Sequence, residues 1–97
     1  MPSNKQDRQL AHFYKTVAGL ILKSESRRVR LVELESVFKR NSDACFSWMQ
    51  WPEAKQFFQT CHSPEPGTAY CLRRELQGCK LGELIREINK YFNLYQE

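Results

Sequence analysis

The sequence lacks the features of a membrane-spanning or exported protein. No apolar run approaches the roughly 20 residues that a membrane-spanning helix needs, and the first residues, MPSNKQDRQL, lack the apolar core of a signal peptide. Glycine is scarce, at four residues, and no glycine-rich phosphate-binding loop occurs. These absences predict a cytoplasmic protein without a nucleotide-binding loop of that kind.

Residues that could hold a metal or act as a nucleophile are also few. Four cysteines are present, but Cys61, His62, Cys71 and Cys79 lack the paired close spacing of zinc fingers and ribbons. Without an export signal, reduced thiols are expected rather than disulfides. Adjacent residues seldom direct their side chains at each other, so Cys61 and His62 make a poor nucleophile and base. We therefore expect no metal site, no cofactor, no small-molecule substrate and no enzymatic activity.

What is present is the composition of one globular domain. At 97 residues, with 41% hydrophobic and 27% charged residues, the chain can bury a single core. The net charge is +4, and the excess lies in residues 1–30, where seven lysines and arginines face two acidic residues. A one-sided basic excess favours a polyanionic partner.

Apolar spacing divides the chain into helices and short strands. Intervals of three and four predict helices over residues 7–23, 32–40 and 80–95, and residues 1–6 read as a flexible tail. A further helix is predicted to begin at Pro52, with a buried face made of Ala54, Phe57, Phe58 and Cys61. Alternation predicts strands over residues 28–31 and within TAYCLRRE, residues 68–75. Residues 44–51 fit either one helical turn or an irregular connection.

The order of these elements predicts the fold. Three helices, with a strand after the first and a hairpin after the third, form a winged helix-turn-helix. We therefore expect an α+β, mostly helical chain with a small antiparallel sheet and an extra C-terminal helix. Residues 7–75 would form the winged-helix domain, and residues 76–97 an amphipathic helix packed on it.

Several stretches resemble the LOTUS, or OST-HTH, winged-helix domains of germline and RNA-regulatory proteins. They are GLILKS at the end of the first helix, RRVRLVELESVFKRN across a strand and the next helix, EAKQFFQTC, and the strand AYCLRR. Extended members of that family add a C-terminal helix, and KLGELIREINKYFNLYQ occupies that place. The tryptophans of FSWMQWPE depart from the family pattern. The resemblance implies a non-catalytic module that binds RNA or docks onto a DEAD-box RNA helicase, and some members self-associate.

Basic residues on the first strand and on the wing suggest where RNA would bind. The strand after the first helix pairs with the wing in a winged helix, so two arginine groups far apart in sequence would lie side by side. Arginine forks match phosphate geometry. The predicted nucleic-acid-binding residues are Lys23, Arg27, Arg28, Arg30, Lys55, Arg73 and Arg74. The alternative is a strand edge whose charges protect it from pairing with other chains.

Aromatic residues near the predicted third helix have two possible roles. Trp48, Trp51, Phe57 and Phe58 could stack on unpaired bases, or they could simply belong to the core. A third helix in the DNA major groove would expose Lys55 as its sole cation, which is weak for duplex binding.

A docking function would use the second and the C-terminal helices. The predicted docking residues are Val37, Lys39, Arg40, Tyr91, Leu94 and Tyr95, because exposed aromatic clusters tend to mark interfaces. The partner would be a DEAD-box helicase or a second copy of the chain. The alternative is that the C-terminal helix only covers the first helix.

Overall fold

The computed structural model describes residues 5–38 and 42–94, and within them it forms four α-helices and one three-stranded sheet. The fold is α+β and compatible with a winged helix, as predicted. The helices are α1 (Lys5–Lys23), α2 (Leu31–Val37), α3 (Ser42–Gln50) and α4 (Leu81–Tyr91). The strands are β1 (Val29–Arg30), β2 (Phe58–Cys61) and β3 (Ala69–Leu72), with short 3₁₀ turns at Ala54–Gln56 and Arg74–Leu76.

The sheet is antiparallel, with β3 between β1 and β2. Val29 lies opposite Tyr70 and Arg30 opposite Ala69, while the hairpin pairs Phe58 with Leu72. The strand that follows the first helix is therefore hydrogen-bonded to the wing, which is the hairpin formed by β2 and β3. This pairing, which was inferred from element order alone, is confirmed.

Helix α1 carries the largest buried face and begins earlier than the spacing predicts. It starts at Lys5 rather than at residue 7, so residues 5 and 6 belong to the helix and not to the predicted tail. Asp7 lies in the first turn, where a carboxylate favours the positive pole of the helix. Residues 1–4 lie outside the described residues. The buried face of α1 comprises Leu10, Ala11, Phe13, Tyr14, Val17, Ala18 and Ile21.

The prediction of a helix beginning at Pro52 is wrong. Residues 42–50 form the third helix, and the chain then makes a 3₁₀ turn and enters strand β2 at Phe58. The spacing of the apolar residues suits a helix, but aromatic residues and threonine also favour strands, and Phe58–Cys61 finds a partner in β3. Lys55, the sole cation that a third helix would have exposed to a DNA groove, therefore lies on the 3₁₀ turn.

Helix α2 is shorter than its predicted span. It ends at Val37, and the Phe38 amide donates a final hydrogen bond to the Leu34 carbonyl at 2.9 Å. At its start, the Arg30 amide donates to Glu33 Oε2 at 2.6 Å, which satisfies a backbone group that the helix leaves free. Lys39 and Arg40, both predicted docking residues, lie outside the described residues.

Helix α4 packs against α1 and ends at Tyr91, four residues before the predicted end. Asn93 adopts a left-handed conformation with φ of 59°. The Asn93 amide donates to the Lys90 carbonyl at 3.2 Å and the Leu94 amide to the Asn89 carbonyl at 2.7 Å. This is a Schellman motif, which turns the chain back on the helix. Leu94 is consequently buried, and its predicted place on an exposed docking surface is wrong.

The core is centred on Tyr14. Its ring lies within 6.2 Å of the rings of Phe57, Phe58 and Phe92, and its hydroxyl donates to the Trp48 carbonyl at 2.7 Å. Phe57 and Phe58 are buried, which confirms that these two aromatics belong to the core. Within the described ranges, no helix is both long enough and apolar enough to cross a membrane.

Candidate nucleic-acid interface

Strand β3 separates two concave surfaces that carry most of the predicted basic residues. The first, cavity A, has a volume of about 320 Å³ and lies where β1 begins. It is lined by Ile21, Ser26, Arg27, Arg28, Cys61, Cys71, Leu72 and Gln77. The second, cavity B, has the same volume of about 320 Å³ and lies between α3 and the hairpin. It is lined by Met49, Gln50, Ala54, Lys55, Phe58, Gln59, Thr60, Tyr70 and Arg73.

Two arginines in cavity A are held by the turn that joins α1 to β1. Arg27 has a φ of 59°, a left-handed conformation that is uncommon for a residue with a Cβ. Its amide donates to the Ser24 carbonyl at 3.2 Å, which closes the turn. The Arg28 guanidinium donates to the His62 carbonyl at 2.8 Å and so ties this turn to the wing. Lys23, at the end of α1, is exposed nearby in sequence.

The thiols of cavity A are poorly suited to nucleophilic chemistry. Burial and the neighbouring Cys71 thiol raise the pKa of Cys61 to about 11, although the positive charge of Arg28 opposes this shift. Cys61 is therefore a neutral thiol at physiological pH, whereas the reactive form of cysteine is the thiolate. Cys71 accepts a weak hydrogen bond from Gln59 Nε2 at 3.7 Å. Over residues 5–38 and 42–94, no three histidine, cysteine or carboxylate side chains come together as a metal site.

Lys55 and Arg73 lie together in cavity B, on the other side of the wing from Arg27 and Arg28. The Arg73 amide donates to the Phe57 carbonyl at 2.9 Å, which fixes the end of β3. Its guanidinium forms an ion pair with Glu75 at 2.8 Å. The prediction that the two arginine groups lie side by side in a single patch is therefore wrong: they flank one small sheet, but their side chains line two separate cavities.

Tyr70 is the feature of cavity B that sequence reasoning missed. Its side chain is 2% exposed, and its hydroxyl has no hydrogen-bond partner among the described residues. Burial raises the pKa of Tyr70, and the adjacent Gln50 side chain opposes the shift without reaching hydrogen-bond geometry. Alternation along β3 places Tyr70 on the side of the sheet opposite Cys71, but it says nothing of the hydroxyl.

The remaining predicted basic residues lie at the edges of the sheet. Arg30 forms an ion pair with Glu65 of the wing loop at 3.1 Å, so β1 and the wing loop lie side by side. Arg74 is exposed on the 3₁₀ turn after β3. Ion pairs as exposed as those of Arg30 and Arg73 contribute little stability, and a phosphate can compete for both guanidinium groups.

Of the predicted docking residues that the structure describes, two are exposed. Val37 on α2 is 51% exposed and Tyr91 on α4 is 45% exposed. Phe46 on α3, which was not predicted, is 52% exposed. Tyr95 lies outside the described residues. Helix α2 packs on α3 and β1, whereas α4 packs on α1, so Val37 and Phe46 lie on one pair of packed helices and Tyr91 lies on another.

Comparison with known proteins adds no assignment. No protein-family model matches the chain, and neither the curated proteins nor the solved structures contain a significant match.

Proposed function

We propose that this chain is a non-catalytic RNA-binding module, a LOTUS-like winged helix that contacts phosphates on both sides of its wing. The observation that supports the proposal is the position of four cations about β3. Arg27 and Arg28 line cavity A, and Lys55 and Arg73 line cavity B. The two groups flank the same three-stranded sheet, whose strands lie about 4.8 Å apart, so an RNA strand that wraps around the edge of the sheet would contact both groups.

The left-handed conformation of Arg27 gives this proposal independent support. A residue with a Cβ in this region costs roughly 1–2 kcal/mol relative to an ordinary conformation. Strain of this kind tends to occur at functional sites. An exposed arginine at a position that suits glycine is consistent with a side chain retained for a ligand.

A cytoplasmic location belongs to the same proposal. Cys61, Cys71 and Cys79 are unpaired thiols, which a reducing compartment maintains.

The test is the salt dependence of binding to a short, fluorescently labelled single-stranded RNA, measured by fluorescence anisotropy. Contacts from four cations predict a slope of log K against log salt concentration of about −3. Neutralising two of them, in Arg27→Gln with Arg28→Gln, should reduce the slope to about −1.5 and weaken binding at low salt.

The matched control is Arg8→Gln with Arg86→Gln. Both residues are exposed and line neither cavity, and the double substitution removes the same charge. Equal losses of affinity in the two double variants would show attraction by net charge alone and would contradict a site on the wing.

A second candidate function is protein docking, which the exposed apolar side chains favour. Val37 and Phe46 are each about half exposed, on two helices that pack together. Phe46→Ser should then abolish capture of a purified DEAD-box helicase core without changing RNA affinity, or it should dissociate a homodimer in analytical ultracentrifugation. Tyr91→Ser is the corresponding test for α4. If both variants capture the helicase core normally and the unsubstituted chain is already monomeric, docking through these side chains is overturned and RNA binding is the one proposal that remains.

A further inference from the structure

Cavity B differs from a general phosphate-binding surface because its lining combines apolar, polar and positively charged side chains. Its apolar side chains are Met49, Ala54 and Phe58, of which each is at most 4% exposed. Polar side chains from α3 and β2 border it, and Lys55 and Arg73 supply positive charge. Ligand sites combine an apolar lining with a few polar groups in this way.

The Tyr70 hydroxyl supplies a second, independent observation. A buried hydroxyl without a partner costs free energy, and native proteins leave few such groups. The hydroxyl belongs to a residue that lines cavity B, and it has less than 1 Å² of exposed surface. The neighbouring Gln50 side chain is exposed, so it can rotate and open the hydroxyl to a bound molecule.

The volume and charge of the cavity restrict what this molecule is. A volume of about 320 Å³ lies at the small end of ligand sites, which excludes a duplex but suits one nucleotide. Proteins that recognise single-stranded RNA take unpaired bases out of the stack and hydrogen-bond their edges. A base fits the apolar lining, and its phosphate fits Lys55 and Arg73.

We propose that cavity B holds one unpaired nucleotide of the bound RNA. Its base lies against Met49, Ala54 and Phe58, its edge meets the Tyr70 hydroxyl and the Gln50 amide, and its phosphate contacts Lys55 and Arg73. This inference rests on the proposed RNA-binding function and makes it specific. It distinguishes cavity B, which takes a base, from cavity A, which contacts phosphate only.

The chain offers a direct probe of this site. It contains two methionines, Met1 and Met49, and Met49 lines cavity B. Labelling the methionine methyl groups with carbon-13 therefore gives one signal in the cavity and one outside the described residues. Titration with each of the four ribonucleoside 5′-monophosphates, and with ribose 5-phosphate, should move the Met49 signal only when a base is present. An equal shift with ribose 5-phosphate would overturn the base-binding role.

Two variants connect the cavity to RNA affinity. Tyr70→Phe removes only the hydroxyl and should weaken single-stranded RNA binding about tenfold, the equivalent of about 1.4 kcal/mol. Lys55 lies on an exposed turn, so the Lys55→Gln variant should fold normally and bind single-stranded RNA several-fold more weakly. Unchanged affinity in both variants would overturn the inference. The persistence of dispersed methyl signals verifies that each variant is folded.

The two proposals fail differently. Salt-dependent RNA binding that leaves Met49 unmoved would overturn the nucleotide site while supporting phosphate contacts on the wing. Movement of Met49 with nucleotides, in a chain that binds no RNA, would overturn the RNA function while supporting the site. The duplex form of the same RNA should bind without moving Met49, because its bases are paired; movement with duplex would contradict the requirement for an unpaired base.

Discussion

Two tyrosines in this protein should respond to the same substitution with changes in stability of opposite sign. Tyr14 and Tyr70 are both buried, at 0% and 2% exposure. The Tyr14 hydroxyl donates to the Trp48 carbonyl at 2.7 Å, whereas the Tyr70 hydroxyl has no partner among the described residues. Replacing either with phenylalanine removes one oxygen atom and leaves the ring. The pair therefore separates the value of a hydrogen bond from the cost of an unpaired hydroxyl.

The expected magnitudes follow from the two environments. A buried polar group without a partner costs about 1–3 kcal/mol, so Tyr70→Phe should stabilise the folded state by at least about 1 kcal/mol. Tyr14→Phe loses a hydrogen bond worth about 0.5–1.5 kcal/mol. The Trp48 carbonyl still accepts from the Trp51 amide at 3.3 Å, so it is not left without a donor. For a domain of this size, 1 kcal/mol corresponds to about 4–8 °C in Tm.

Thermal unfolding followed by circular dichroism, with urea titration as a second measure, tests this pair. We expect a higher Tm for Tyr70→Phe and a lower Tm for Tyr14→Phe, with similar urea m-values. A loss of stability in Tyr70→Phe would mean that the hydroxyl bonds to Gln50 in solution, and it would remove the strongest argument for a ligand in cavity B. Gain of stability combined with loss of RNA affinity is the result that a purely structural Tyr70 cannot give.

Three further predictions concern the thiols and charges around the wing. The rate at which iodoacetamide alkylates Cys61, measured by peptide mass spectrometry, should rise with a midpoint near pH 11 rather than near the ordinary cysteine pKa of about 8.5. The stability linked to the protonated thiol should be lost as pH rises between these two values. A midpoint near 8.5 would contradict the burial of the thiol. Arg27→Gly should change the free energy of unfolding by less than about 1 kcal/mol, because relief of the left-handed strain offsets the added entropy of glycine, yet it should weaken RNA binding; retained affinity would separate the strain from function. Glu65→Gln and Glu75→Gln should each tighten RNA binding by a few-fold, because they release Arg30 and Arg73, while Glu87→Gln on α4 serves as the control and should change nothing.

The sequence predicts those elements in which one apolar period dominates. Helices α1 and α4 have apolar residues at helical intervals over their whole length, and both are found where expected to within a few residues. The segment from Ala54 to Cys61 could not be assigned correctly, because its apolar positions fit a helix and the competing strand depends on β3, which lies beyond the wing loop. Pairing between distant segments outweighs a local pattern here.

For the candidate site too, the sequence predicts some features and not others. The proximity of β1 to the wing follows from topology, so the sequence could predict that the strand after the first helix pairs with the wing. It could not predict that Arg28 and Arg73 line different cavities, because that depends on how α3 and the turn at residues 54–56 pack against the hairpin. Nor could it predict the unpaired hydroxyl of Tyr70, which is a property of three elements at once. Leu94 was misplaced because the turn at Asn93 depends on a left-handed residue that helical spacing does not reveal.

The small size of the proposed interface has a consequence for how the protein would act. Four cations and one base site, spread over a sheet about 10 Å wide, can contact only a short segment of RNA. Such an interface would bind weakly at physiological salt, since each phosphate contact loses strength as salt rises. A weak module becomes effective when a second binding site is linked to it, because the second contact then forms at a high effective concentration. The exposed side chains of Val37 and Phe46 offer such a contact away from both cavities, so protein docking and RNA binding need not compete for one surface. A dimer formed through them would present two wings, and its RNA affinity should then depend on protein concentration, whereas the affinity of Phe46→Ser should not.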